Sequence, residues 1–107
     1  SFILSHYVRE AGVFTLPQAI KKMTADPAAV IGLKDRGILK TGMKADINVF
    51  SPEDVTELQP VLVNDFPDEA PRYIQKSRGF KATIVNGHVN VLDGEPTGAR
   101  AGEVLRH

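Results

Sequence analysis

Apolar residues in the first part of the chain recur at the three- and four-residue spacing of an amphipathic helix. Ile3, Leu4, Tyr7, Val8 and Ala11 form one stripe of this kind. Gly12 follows the last of them, and a glycine at this point is typical of a helix end. The pattern therefore predicts an α-helix at the start of the chain, with His6 off the stripe and facing solvent.

A second helix is predicted in the segment TLPQAIKKMT. Thr15 and Gln18 have the spacing of a capping box, and Pro17 lies in the first turn, where its missing N–H costs nothing. Leu16, Ile20 and Met23 form its apolar face, while Lys21 and Lys22 point outward. A third, short helix is predicted from Asp26, and its alanines favour close packing against a neighbour.

After Gly37 the period changes to two, which indicates strands. ADINVF places Ile47 and Val49 on one face of a strand and Phe50 on the other. The segment 51–79 contains four prolines and reads as an irregular connection in which only ELQPVLV suggests a strand. A connection this long is either functional or packed on another part of a protein.

The clearest local element is the hairpin ATIVNGHVNVLDG. Asn86-Gly87 predicts a type I′ turn, because that turn needs positive φ at both central positions. Pairing outward from the turn predicts the partners Val85–His88, Ile84–Val89, Thr83–Asn90 and Ala82–Val91. On this register Ile84 and Val89 are buried and His88 is exposed.

Composition limits the function classes. The 107 residues allow one domain, and 13 basic residues balance 13 acidic ones, which argues against a nucleic-acid or anionic-membrane surface. No apolar run approaches the roughly 20 residues of a membrane span. The absence of cysteine excludes disulfides and thiolate metal sites and fits a cytoplasmic protein.

Three groups of residues contain chemistry-bearing side chains or glycines, and none has the pattern of a known site. Gly37 and Gly42 have the glycine spacing of a phosphate loop, but Met43 and Lys44 stand where Lys and Ser or Thr are required, and the segment leads into a strand. The histidines, His6, His88 and His107, are scattered and form no zinc motif. Asp65, Asp68 and Glu69 lack the spacing of a calcium loop, so a solvated acidic turn is expected.

Two segments nevertheless resemble the C-terminal part of the amidohydrolase superfamily. Residues 16–50 match a helix and strand-entry phrase through Ala19-Ile20, Met23-Thr24, Pro27-Ala28, Arg36-Gly37 and Ala45-Asp46, among others. The segment ATIVNGHVNVLDGEPTGARAGEVLR resembles the closing phrase of the subgroup of N-acyl-D-amino-acid deacylases, the D-aminoacylase type. Ala101 and Glu103 depart from that phrase, where proline and arginine are usual.

The resemblance implies an α+β chain that is a fragment of a (β/α)8-barrel amidohydrolase with its composite β-sandwich. Residues 1–36 would be a helical segment from the end of the barrel domain. Residues 37–107 would be the C-terminal portion of a small antiparallel β-sandwich, with the proline-rich connection 51–79 inside it. Gly37 and Gly42 would then turn the chain into its first strand.

The resemblance also implies the chemistry of the longer protein, which is hydrolysis of the amide bond of N-acyl-D-amino acids. In such enzymes zinc is held by barrel-strand histidines and a carboxylated lysine or cysteine, and an aspartate serves as general acid or base. None of these residues maps onto this chain, so no catalytic, cofactor-binding or metal residue is predicted in it, and the segment alone is expected to be inactive. The expected partners are the remainder of the parent chain, its small-molecule substrate and, for the isolated segment, a second copy of itself.

A second interpretation remains open at this point. The chain could be a free-standing, non-catalytic β-rich module for interaction or dimerisation, with a helical preface. The sequence upstream of Ser1 distinguishes the two interpretations, because the enzyme requires an H-x-H strand there.

Overall fold

Three short helices come first in the computed structural model, which describes residues 1–106. They are a π-helix at Ile3–Glu10, α1 at Leu16–Met23 and α2 at Ala25–Val30. The strands that follow are β1 Ile47–Phe50, β2 Thr56–Glu57, β3 Val61–Val63, β4 Arg72–Ile74, β5 Ser77–Arg78, β6 Phe80–Val85, β7 His88–Leu92 and β8 Glu95–Pro96. All strand pairs are antiparallel, so the predicted α+β class is confirmed.

The first helix differs from the predicted α-helix because it is wound as a π-helix. A π-helix has hydrogen bonds that reach five residues back, so it brings different side chains onto one face than α-helical spacing does. Leu4 and Ser5 are its buried residues, whereas Tyr7 and Ala11, which the stripe placed inside, are exposed. Gly12, with a φ of 60°, lies just beyond the helix end, as predicted.

The second helix follows its predicted cap closely. The backbone N–H of Thr15 donates to Gln18 Oε1 at 2.9 Å, and that of Gln18 donates to Thr15 Oγ1 at 3.4 Å, which completes the capping box. Ala19 is fully buried, and the predicted apolar residues beside it, Leu16, Ile20 and Met23, are partly buried.

The third helix begins at Ala25, one residue before the predicted start. Its buried residue, Ala28, lies against Gly37, where an added Cβ would come within 2.7 Å of the Ala28 Cβ. The close packing predicted from the alanines is therefore made at Ala28. Val30 points into solvent.

The main sheet has the strand order β1-β6-β7-β8. The pair β1–β6 runs from Ile47 opposite Ile84 to Phe50 opposite Phe80, with an irregularity beside Phe50. The rings of Phe50 and Phe80 are 5.9 Å apart and both pack against the buried core residues. The strand face that carries Phe50 is thus the one that meets the helices.

The hairpin β6–β7 confirms the predicted turn and its two inner pairs. Asn86 and Gly87 have φ values of 48° and 80°, and Val85–His88 and Ile84–Val89 are partners. The two outer pairs are wrong by one residue, since Thr83 pairs with Val91 and leaves Asn90 unopposed in a bulge. His88 is exposed as predicted and Ile84 is partly buried, but Val89 is 41% exposed, so its predicted burial is wrong.

The connection predicted to be irregular folds back on itself as a two-stranded arm, here defined as residues 56–78. Strand β2 pairs with β5, and β3 pairs with β4. The arm turns at Pro67–Glu69, where Asp68 and Glu69 have φ values of 57° and 53°. The suggestion of a strand in ELQPVLV is confirmed by β2 and β3.

The base of the arm is fixed to the π-helix. Arg9 Nη1 donates to the carbonyl oxygens of Pro52, Glu53 and Val55 at 3.0, 3.0 and 2.9 Å. Val55 is fully buried, and Gly79 approaches it so closely that an added Cβ would lie 2.5 Å from the Val55 Cα. The two ends of the arm therefore meet at Val55 and Gly79, where Arg9 binds the chain leading into the arm.

The core is small for a chain of this length. Its buried apolar residues are Leu4, Ala19, Ala28 and Val55. The radius of gyration is 15.9 Å, whereas a compact domain of this length has about 13 Å. Several large apolar side chains are mostly exposed, among them Val30, Leu39, Tyr73 and Val104. Much of the apolar surface of these residues is left uncovered by the rest of the described chain.

Candidate functional site

The predicted chemistry-bearing side chains lie on separate elements. His6 Nδ1 contacts Glu10 Oε2 at 3.0 Å on the π-helix, and the His6 ring stacks on Phe2. His88 is exposed at the start of β7, and His107 lies outside the described residues. Within residues 1–106 no group of three or more His, Cys, Asp or Glu side chains is placed to hold a metal ion.

The acidic turn of the arm is engaged in an ion pair. Arg72 Nε and Nη2 donate to the two oxygens of Asp65, each at 2.6 Å. The hydrogen bond from Arg72 lowers the pKa of Asp65 below its ordinary value. Asp68 and Glu69 are exposed at the tip. The Asp65–Arg72 ion pair thus lies near the end of the arm, and the exposure of Asp68 and Glu69 agrees with the predicted solvated acidic turn.

The glycine segment behaves as the strand-entry loop that its sequence predicts. Gly37 and Gly42 both have φ values near 90°, at 89° and 88°, and the chain passes from them into β1. Such values suit glycine and turn the backbone sharply. A phosphate loop would have to open a helix here, and this one opens a strand.

The polar contacts that do converge lie where this loop meets the hairpin turn. We call them the latch cluster, which consists of Arg36, Asp46, Asn86 and the carbonyl group of Ala101. Arg36 Nη1 donates to Asp46 Oδ2 at 3.2 Å, and the backbone N–H of Asn86 donates to Asp46 Oδ1 at 2.9 Å. One carboxylate thereby joins the loop before β1 to the turn between β6 and β7.

The charges of the cluster are matched at close range. The hydrogen bond between Arg36 and Asp35 raises the pKa of the guanidinium and lowers the pKa of the carboxyl group. The Arg36 side chain is 16% exposed. A guanidinium so far from solvent needs carboxylate partners, and Asp35 and Asp46 provide them on two sides.

The third segment of the cluster is the tail. Asn86 Nδ2 donates to the carbonyl oxygen of Ala101 at 2.6 Å, and the Gly87 N–H donates to the carbonyl oxygen of Ala45 at 3.0 Å. Upstream, Thr97 Oγ1 donates to the carbonyl oxygen of Val89 at 2.6 Å, which fixes the tail to β7. The side chains of Asp46, Asn86 and Thr97 thus hold the loop, the turn and the tail together through hydrogen bonds to backbone groups.

An apolar cavity of about 310 Å³ lies between the helices and β1. Its wall includes Leu4, Ile20, Met23, Phe50 and Phe80, with Asp46 and Asn48 also contributing. This lining suits apolar contact. Neither it nor the latch cluster presents a nucleophile with an adjacent general base, the arrangement that covalent catalysis requires.

Sequence reasoning did not anticipate that the latch cluster would form. The signal was present, because Arg36-Gly37, Ala45-Asp46 and Asn86-Gly87 are among the residues that carry the family resemblance. By sequence alone, Gly37 and Asn86-Gly87 are turn residues and Ala45-Asp46 is a strand start. Their side chains also bind one another, which only a three-dimensional arrangement can reveal.

Comparisons with known proteins point in one direction. A model of the Amidohydrolase family matches residues 2–91. The N-acyl-D-aspartate deacylase of Alcaligenes xylosoxydans xylosoxydans is 43% identical over 104 residues, which are 96% of this chain and 19% of that enzyme. A dihydroorotase of Geobacter metallireducens is 47% identical over 90 residues, 83% of this chain and 21% of that protein.

A solved structure is also similar. The crystal structure of a D-aminoacylase, described as defining a novel subset of amidohydrolases, superposes with a TM-score of 0.79 at 32% identity. The superposition covers 99% of this chain and 20% of the D-aminoacylase chain. The chain thus spans about a fifth of the length of the proteins it matches.

Proposed function

This chain belongs to the amidohydrolase family, as its resemblance predicted, and on this basis we propose that it forms the C-terminal segment of a metal-dependent hydrolase acting on N-acyl-D-amino acids. The reaction is cleavage of the amide bond between the acyl group and the amino acid. Because the chain spans about a fifth of its relatives, the activity belongs to the longer protein. Its own contribution is structural.

The observation that carries the structural role is the latch cluster. Asp46 binds Arg36 and the Asn86 backbone, and Asn86 binds the Ala101 carbonyl group. These bonds order the strand-entry loop, the hairpin and the tail relative to one another. Asp46 and Asn86, which are among the residues that carry the family resemblance, therefore position the backbone of these three segments.

The donor set of residues 1–106 does not fit a catalytic zinc. Such a site takes about three protein ligands and leaves one position open. The two described histidines lie on separate elements, and His6 contacts Glu10. We assign the zinc ligands and the general acid or base to the barrel portion of the longer protein.

The extent of the matches supports the proposed substrate class. The N-acyl-D-aspartate deacylase matches 96% of this chain, whereas the Geobacter dihydroorotase matches 83%. The D-aminoacylase structure covers 99%. This difference favours an N-acyl-D-amino acid over the substrate of a dihydroorotase. The free-standing module, the second interpretation of the sequence, receives no support from these matches.

The exposed apolar side chains identify the partner surface within the proposal. Val30 on α2 and Leu39 before β1 are 86% and 77% exposed. In the longer protein these side chains would be covered by the barrel and by the N-terminal strands of a composite β-sandwich. Burial of such side chains contributes roughly 1.5–3 kcal/mol each when it is complete.

A chimera tests the proposal. The matching fifth of the Alcaligenes N-acyl-D-aspartate deacylase is replaced by this chain, and hydrolysis of N-acyl-D-aspartate is measured together with metal content. We expect the chimera to bind metal and hydrolyse the substrate, and the same enzyme without the segment to be unstable. A chimera that folds with its metal bound and has no activity would contradict a purely structural role.

A further inference from the structure

Asn86 occupies the chemically most labile position among the asparagines of the chain. Asn48, Asn64 and Asn90 precede Val, Asp and Val, whereas Asn86 precedes Gly87. A glycine has no side chain to hinder its backbone nitrogen. That nitrogen can therefore attack the preceding carboxamide most readily where glycine follows asparagine.

In the folded chain both nitrogen atoms that take part in this attack donate hydrogen bonds to other groups. The attacking nitrogen, that of Gly87, donates its hydrogen to the carbonyl oxygen of Ala45 at 3.0 Å. The leaving nitrogen, Asn86 Nδ2, donates to the carbonyl oxygen of Ala101 at 2.6 Å. The Asn86 backbone N–H donates to Asp46 at 2.9 Å, so the turn itself is held from a third side.

The carboxamide oxygen is also in an unfavourable environment for the reaction. Asn86 Oδ1 is buried and receives no hydrogen bond from residues 1–106. Attack on the carboxamide carbon places negative charge on this oxygen, and charge in such a position needs a donor to stabilise it. The folded arrangement thus disfavours both the approach of the Gly87 nitrogen to Asn86 Cγ and the transition state of the attack.

We propose that Asn86 is a latent deamidation site and that the tail, residues 97–106, holds it in the unreactive state. In the reaction the Gly87 nitrogen forms a bond to Asn86 Cγ, the Cγ–Nδ2 bond breaks, and ammonia leaves with the proton of the Gly87 N–H. Water then opens the five-membered imide. The product is an aspartyl or an isoaspartyl residue with a new carboxylate.

The product cannot restore the contact with the tail. A carboxylate accepts hydrogen bonds only, so the donor to the Ala101 carbonyl group is lost. The new charge also lies next to Asp46, and like charges at short range repel. The isoaspartyl form adds a backbone atom to a two-residue turn. Deamidation therefore removes the contact of the tail at Ala101 irreversibly, while Thr97 keeps its hydrogen bonds to β7. Loosening of the segment from Ala101 onward is thus a one-way step.

The first experiment measures deamidation site by site. The full chain and a chain ending at Arg100 are incubated at mildly alkaline pH, and the loss of each asparagine is followed by peptide mass spectrometry. Circular dichroism verifies that both chains are folded. Without the Ala101 acceptor we expect Asn86 to react about fivefold faster, the factor that one hydrogen bond represents.

The other asparagines are controls within the same molecule. Asn48, Asn64 and Asn90 should react slowly and equally in both chains, and the full chain in denaturant gives the unprotected rate for Asn86. Equal Asn86 rates in the two folded chains, or a folded rate equal to that in denaturant, would overturn the proposal.

The second experiment measures the effect of the product, and it decides the matter if the shortened chain does not fold. Asn86→Asp and the control Asn64→Asp are digested briefly with trypsin, and cleavage after Arg100 is compared with cleavage after Lys21 on α1. We expect Asn86→Asp to raise the Arg100 cleavage rate about fivefold and to leave Lys21 unchanged. An unchanged Arg100 rate would show that Asn86 does not hold the tail.

Discussion

The hydroxyl group of Ser5 donates a hydrogen bond of 2.7 Å to Glu57 Oε2 and so joins the π-helix to the arm across 52 residues of sequence. Ser5 is 1% exposed, which makes this one of the most enclosed contacts of the described chain. The bond lowers the pKa of Glu57 below its ordinary value of 4.5, and a backbone hydrogen bond acts in the same direction. The position of the arm is therefore coupled to the charge of one carboxylate.

This coupling predicts an acid dependence of stability. Because the Glu57 pKa is lowered in the folded state, its stabilising contribution is complete above the unfolded pKa, near 4.5, and is lost as the pH falls through the folded value. Ser5→Ala should raise the Glu57 pKa, lower the free energy of unfolding at neutral pH, and flatten the decline of stability in acid. Urea unfolding at neutral and acidic pH measures both effects.

The control for this variant is Ser77→Ala, on the exposed strand β5. It should leave the pH dependence of unfolding unchanged. If Ser5→Ala shows the same decline in acid as the unaltered chain, another carboxylate is responsible for it.

Gly37 and Gly42 form a matched pair for a second prediction. Their φ values are 89° and 88°, so alanine introduces similar backbone strain at both, about 1–2 kcal/mol. A Cβ at Gly37 would lie 2.7 Å from the Ala28 Cβ and 3.1 Å from the Thr24 carbonyl oxygen, whereas Gly42 has open space. Gly37→Ala should therefore cost about 1–3 kcal/mol more than Gly42→Ala in chemical unfolding. Equal costs would mean that α2 does not pack against the loop.

Asp46 is predicted to matter more than its position at the start of a strand suggests. Asp46→Ala removes the acceptor of both Arg36 and the Asn86 backbone. We expect the melting temperature to fall by several degrees, because a guanidinium at 16% exposure loses a partner. Asp26→Ala, which removes the exposed pair with Lys21, is the control and should change the melting temperature little. A similar small effect at Asp46 would argue against the latch cluster.

The isolated chain should self-associate, since its apolar side chains exceed what its small core covers. Leu39 and Tyr73 are 77% and 73% exposed, and within residues 1–106 the arm leaves both its strand edges unpaired. Sedimentation velocity over a range of concentrations should show dimers or larger species. Leu39→Ser should weaken the association and the neighbouring Lys40→Ser should not. A monomer at every concentration would contradict the prediction.

The chain alone should hydrolyse no N-acyl amino acid, with or without added zinc. The described histidines lie on separate elements, His6 on the π-helix and His88 on β7, and ordering separate ligands around a metal costs chain entropy. The assay uses N-acetyl-D-amino acids, a zinc-only blank and the Alcaligenes deacylase as positive control, together with metal analysis. Turnover above the blank, or stoichiometric zinc, would mean that a complete site exists in this chain.

The hairpin shows how far local sequence determines the fold. Asn86-Gly87 predicts the turn and the two inner pairs correctly, because turn geometry alone decides them. The bulge at Asn90 depends on the tail as well, since the Thr97 N–H and hydroxyl group both bind the Asn90 carbonyl oxygen. The alternation of apolar residues within β6 and β7 does not indicate this contact between Thr97 and Asn90, so the bulge could not be predicted from it.

The π-helix and the arm show the opposite limit. Helical spacing correctly placed Ile3, Leu4 and Val8 toward the core. It wrongly placed Tyr7 and Ala11 there, and it missed Ser5, which is buried and binds Glu57, a residue distant in sequence. The sequence suggested strand structure in ELQPVLV but not the returning strands β4 and β5 or the pairing that forms the arm, because these strands are only two or three residues long. The latch cluster was missed for a similar reason, since no pattern within one segment indicates that three segments meet.

The arm also determines the order in which this part of the chain opens. Within the described residues its ladders pair with no further strand, and at its far end the Arg72–Asp65 pair bridges the two sides. At the base, Val55 is buried and Arg9 binds three carbonyl oxygens. Local unfolding starts where buried contacts are fewest. We therefore expect the arm to unfold locally from its tip. Its amide hydrogens should exchange with solvent fastest at the tip and slowest beside the π-helix.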